Sequence, residues 1–102
     1  MDIMRHLECF LAVGEERHFG RAAERLGMEQ PPLSQRIRRL EKELGAELFD
    51  RSGKRVSLTA AGHTLMLEAP ELLRRYRRMR SLVERAASRE LAEPPRPWTE
   101  IY

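Results

Sequence analysis

The 102-residue chain has one cysteine, Cys9, so it can form neither an internal disulfide nor a cysteine-based metal site. No apolar run approaches the roughly 18 residues that a membrane-spanning helix requires, and the N-terminus lacks the apolar core of a signal peptide. His6, His18 and His63 are scattered with no second ligand at metal spacing. Neither a glycine-rich phosphate loop nor a Ser-His-Asp order occurs. A chain this short buries only roughly 60–65% of its unfolded surface, which argues against a two-domain enzyme with a deep cleft. These absences point to a small cytoplasmic domain with no catalytic residue, metal, cofactor or membrane partner. Cys9 reads as a partly buried structural thiol of the first helix.

What is present is charge. Charged residues make up 34% and hydrophobic residues 41%, the mean hydropathy is −0.60, and the net charge is +3. Residues 1–69 balance 11 basic against 11 acidic side chains. Within them, Gln30–Leu40 holds Arg36, Arg38 and Arg39 without an acid, and Arg51–Leu67 holds Arg51, Lys54 and Arg55 without one. Glu41, Glu43, Glu47 and Asp50 lie between the two segments. Separate basic patches on a neutral body suit a phosphate backbone, although each patch alone also fits a solvated helix face.

Apolar spacing predicts the elements. Ile3, Leu7, Phe10 and Leu11 share one face of a helix over Ile3–Glu16, weakened at its end by Gly14. A shorter helix, Gly20–Leu26, buries Phe19, Ala22, Ala23 and Leu26 and stops at Gly27. Pro31 and Pro32 suit the first turn of a third helix, whose stripe is Leu33, Ile37, Leu40 and Leu44 and whose stop is Gly45. Its opposite face centres on Gln35, Arg38 and Lys42, flanked by Ser34 and Arg39. Leu48 and Phe49 begin one short strand and Val56 and Leu58 lie in a second, with Gly53 at the tip of the turn between them. Thr59 is the expected N-cap of a final helix.

From there Leu65, Ala69, Leu72, Tyr76, Met79, Val83 and Ala86 repeat at spacings of 4, 3, 4, 3, 4 and 3. Such a seam is narrow and calls for a partner helix. The helix could span about 32 residues, about 48 Å at a rise of about 1.5 Å per residue. A domain of this size cannot cover it, so a second chain is expected to. Pro70 should kink this helix or break it. The reading divides the chain into residues 1–58, a linker helix over 59–91, and a proline-rich tail over 92–102.

Helix, helix–tight turn–helix, two-stranded wing and long helix is a mainly α, winged helix-turn-helix order. Phe10–Val13, Phe19 with Arg21–Leu26, Gln30–Ile37, Leu40–Gly45, Leu48–Arg51 and Leu58–Gly62 resemble the LysR-type transcriptional regulators, over about residues 2–90. The resemblance implies a bacterial regulator that binds double-stranded DNA, dimerises through the long helix and sits in the nucleoid-bearing cytoplasm, with a higher oligomer left open. Family members continue into an effector-binding domain of two α/β lobes. This sequence stops before one, so no small-molecule effector is expected for it. Glu29 departs from the Ser or Thr that the family places before the third helix.

On that resemblance, Gln30, Pro31, Ser34 and Gln35 occupy positions that touch bases, and the chemistry of the same face adds Arg38 and Arg39. Arg51, Ser52, Lys54 and Arg55 of the wing, with Arg21 and Thr59 at helix starts, are candidates for the sugar–phosphate backbone. For Thr59 a purely structural cap is an equal alternative. Leu65, Leu72, Tyr76, Met79 and Val83 form the expected dimer seam. A ModE-like winged domain shares the architecture. The reading from a different class is an interaction module that pairs with a full-length relative without binding DNA.

Overall fold

The computed structural model describes residues 2–53 and 55–92. Its elements run α1 (Ile3–Glu16), α2 (Phe19–Leu26), α3 (Gln30–Leu44), β1 (Phe49–Asp50), β2 (Ser57–Leu58) and α4 (Ala60–Ala92). Among the described residues the strands form one antiparallel pair, with Phe49 opposite Leu58 and Asp50 opposite Ser57. This is a winged helix-turn-helix.

Each helix start is fixed locally. Asp2 Oδ1 accepts the Arg5 N–H at 3.1 Å. At α2 the cap is His18, whose Nδ1 accepts the Arg21 N–H at 3.0 Å. Glu29 precedes α3 but makes no side-chain cap bond. The first turn of α3 contains Pro31 and Pro32, which bring no N–H needing one. Gly27 and Gly45 end α2 and α3 at φ 65° and 69°, in the left-handed region that favours glycine. Arg17 ends α1 in the same region, at φ 54°, without that excuse; its N–H donates to the Val13 carbonyl at 2.8 Å.

The core lies where α1, α2 and α3 meet the first turns of α4. Leu7, Phe10, Val13, Ala22, Ala23, Leu33, Ile37, Leu40, Leu48, Phe49, Ala69 and Leu73 are buried. The Phe49 ring stands 5.2 Å from Phe10 and 5.9 Å, edge-on, from Phe19, joining β1 to α1 and α2. Gly14 does not end α1. A Cβ there would come within 2.5 Å of Met66 Sδ, so the glycine is where α4 approaches α1.

Several sequence expectations need correction. Helix α2 begins one residue early, at Phe19. Leu48 and Val56 precede the strands rather than belonging to them, because each strand has only two residues. Leu44, in the last turn of α3, is 50% exposed, so the buried stripe of that helix ends at Leu40. Ala69, read as part of the heptad seam, is buried in the chain's own core, and so is Leu73, which lies outside the seam. Helix α4 runs unbroken from Ala60 to Ala92 across Pro70. Lys54 and the tail beyond Ala92 lie outside the described residues.

Candidate nucleic-acid interface

Burial sorts α3 into two faces. Leu33, Ile37 and Leu40 are fully buried, which leaves Gln30, Pro31, Gln35, Arg38, Arg39 and Lys42 exposed and Ser34 at the boundary. Seven arginines are tied to carboxylates: Arg5, Arg25, Arg51, Arg74, Arg75, Arg77 and Arg80. Among the described residues Arg36, Arg38 and Arg39 of α3, Arg21 of α2 and Arg55 of the wing form no ion pair. The third helix therefore projects uncompensated positive charge and forked donors on a convex element that a major groove can admit.

Other predicted contacts already have partners inside the fold. The Arg51 guanidinium pairs with Glu41 at 3.4 Å and stands 5.3 Å from the centre of the Phe19 ring. The Ser52 hydroxyl donates to Asp50 Oδ1 at 2.6 Å, and the Ser52 N–H to the same oxygen at 2.9 Å. These bonds hold the Asp50 carboxyl below the usual range and shape the wing turn. Thr59 donates its hydroxyl to the Glu47 carbonyl at 2.6 Å and accepts the Gly62 N–H at 3.0 Å. It caps α4 as expected, and its one hydroxyl proton is committed. Arg21 and Arg55 remain exposed and free to meet a ligand.

Two residues were missed by sequence reasoning. His6 is 2% exposed, and its Nδ1 lies 3.4 Å from an Arg36 guanidinium nitrogen. Guanidinium only donates, so Nδ1 is the acceptor and the ring proton sits on Nε2, which has no partner among the described residues. Burial, with Arg36 and Arg39 nearby, holds this imidazole below its ordinary pKa. The signal was present in the spacing: His6, Phe10 and Val13 stand at i, i+4 and i+7. Glu41 is the other, an acid in the basic neighbourhood whose carboxylate turns inward to Leu48 and Arg51.

Cys9 is buried, and that burial pushes its thiol pKa up, away from the reactive thiolate. Among the described residues no group of three metal-ligating side chains comes together, and no helix is long and apolar enough to cross a membrane. On α4 the seam residues Leu72, Met79 and Val83 are exposed, as is Leu82 beside them, leaving that part of the seam uncovered within the chain.

Residues 4–63 match the family described as "Bacterial regulatory helix-turn-helix protein, lysR family". The chain is 48% identical over 86 residues to the uncharacterized HTH-type transcriptional regulator YnfL of Escherichia coli, covering 84% of this chain and 27% of that protein. It is 62% identical over 66 residues to the HTH-type transcriptional regulator ShiR of Corynebacterium glutamicum, covering 65% of this chain and 22% of that one. The chain thus spans about a quarter of the length of these relatives. Among solved structures, the BenM DNA-binding domain in complex with catB site 1 DNA superposes with a TM-score of 0.74 at 44% identity, covering 83% of this chain and 94% of that one.

Proposed function

Since the chain belongs to the lysR family of bacterial regulatory helix-turn-helix proteins, we propose that it is a sequence-specific, double-stranded-DNA-binding unit of a transcriptional regulator rather than an enzyme. It acts as a dimer joined through α4 and binds an interrupted inverted repeat, because two-fold symmetry in the protein calls for two half-sites. Helix α3 enters the major groove. Gln30, Pro31, Ser34, Gln35, Arg38 and Arg39 meet base edges, while Arg21 and the wing residues Arg51, Ser52, Lys54 and Arg55 run along the backbone. The observation that carries this reading is the exposed row of Gln35, Arg38 and Lys42, in no ion pair among the described residues, opposite the fully buried stripe of Leu33, Ile37 and Leu40.

The test is a gel shift against the DNA upstream of the protein's own gene and of the adjacent gene. Gln35→Ala and Arg38→Ala should each weaken the cognate complex by about 1–3 kcal/mol and barely change binding to random DNA. Arg55→Ala should weaken both alike and flatten the salt dependence by about 0.9 per lost phosphate contact. A chain that dimerises but shifts neither fragment nor random DNA would favour the pairing module, to which the exposed Leu72, Met79, Leu82 and Val83 are equally suited.

A further inference from the structure

A shallow cavity of about 460 Å³ opens between the start of α1 and the flank of α3, bounded by Asp2, His6, Pro32, Gln35, Arg36 and Arg39. Two of these are arginines without an ion pair among the described residues. The one carboxylate in the wall, Asp2, has an oxygen committed to the Arg5 N–H. His6, which lines the wall, carries the single buried side-chain polar atom without a partner among the described residues, its Nε2. Gln35 and Arg39 belong both to this wall and to the exposed face of α3, so the cavity is continuous with the proposed groove-reading surface.

We propose that this cavity is a phosphate-binding site that seats one phosphodiester of the DNA backbone beside the groove, with Arg36 as its ligand and His6 as the residue that positions Arg36. The proposal rests on the DNA-binding reading and extends it to residues outside the base-reading row. A guanidinium fork matches two phosphate oxygens, and an arginine already held in place loses less freedom on binding than a free one. His6 can hold it because the neutral ring presents Nδ1 as an acceptor at 3.4 Å. Burial and the two arginines favour that neutral form.

Phosphate contacts are blind to sequence, so the probe is a labelled random-sequence duplex of several helical turns, titrated with the full chain across a salt series. Arg36→Gln should weaken binding and lower the slope of log affinity against log salt by about 0.9 for each bound protomer. His6→Leu should lower it similarly while leaving thermal stability unchanged or raised, since it removes a buried unpartnered N–H. His6→Asn, which keeps an acceptor near the Nδ1 position, should retain the wild-type slope. A wild-type slope in Arg36→Gln would overturn the site and leave DNA binding standing. Loss of slope in His6→Asn, or wild-type binding in His6→Leu, would overturn the positioning role. A wild-type chain that binds no duplex at low salt would overturn the DNA reading itself, and this site with it.

Discussion

The Glu41 carboxylate accepts the Leu48 backbone N–H at 2.8 Å, so a side chain of α3 fastens the entrance to the wing. Its second oxygen holds the Arg51 guanidinium at 3.4 Å. Glu41→Ala would leave the N–H of buried Leu48 without that acceptor and release Arg51. Denaturation in urea should show a loss of about 1–3 kcal/mol, less for Glu41→Gln, which keeps an acceptor. An alanine variant with the wild-type midpoint would contradict this.

Gly62 sits against the Leu48 carbonyl so closely that a Cβ would collide with it. The same carbonyl accepts the Thr59 N–H at 3.0 Å, so it cannot move aside without breaking the start of α4. Gly62→Ala should cost about 1–3 kcal/mol through overpacking. Gly53→Ala is the control, because a Cβ there meets nothing nearer than the Arg55 carbonyl oxygen at 3.9 Å. Equal melting temperatures for the two variants would refute the difference.

Stability should fall on mild acidification. The folded His6 imidazole titrates below the ordinary histidine value, whereas the unfolded chain takes up this proton near pH 6.5. Below about pH 6.5 the unfolded state therefore binds more protons, and the stability present above that pH is lost progressively down to the folded pKa. Denaturant midpoints measured on either side of pH 6.5 should separate in the wild type and converge in His6→Leu. A variant as pH-sensitive as the wild type would assign the effect to other groups.

Adjacent leucines of α4 should respond differently to the same change. Leu72→Asp puts a charge in the proposed contact between copies and should turn a micromolar dimer into a folded monomer in sedimentation. Leu73→Asp buries that charge inside the chain's own core and should unfold it; even Leu73→Ala should cost about 2–5 kcal/mol. A wild-type monomer at micromolar concentration would contradict the seam.

The helices were legible because each carries a strong period, and α2 and α3 a glycine stop as well. Ile3–Glu16 was read with its observed ends, and Gly27 and Gly45 take the positive φ expected of them. Thr59 was legible as a cap for the same reason. The strands were not: two residues each cannot display an alternation, and it is packing on Phe10 and Phe19 that decides where Phe49 lies. Leu73 lies off the heptad and was not read as core, because a heptad is blind to α1 lying alongside the first half of α4, as far as Arg77. Of the candidate interface, the exposed row of α3 could be read from one helix at a time. The Arg36–His6 and Arg51–Glu41 pairs span 30 and 10 residues, and only the packed molecule brings them together.

The outer row of α3 supports nothing else in the fold. Among the described residues no hydrogen bond or ion pair engages the side chains of Gln35, Arg38 or Lys42. Replacing them should shift stability by no more than about 0.5 kcal/mol. A domain arranged this way can be given a new binding preference one substitution at a time and stay folded at every step, because the row proposed to read DNA and the stripe that keeps it folded lie on opposite sides of one helix.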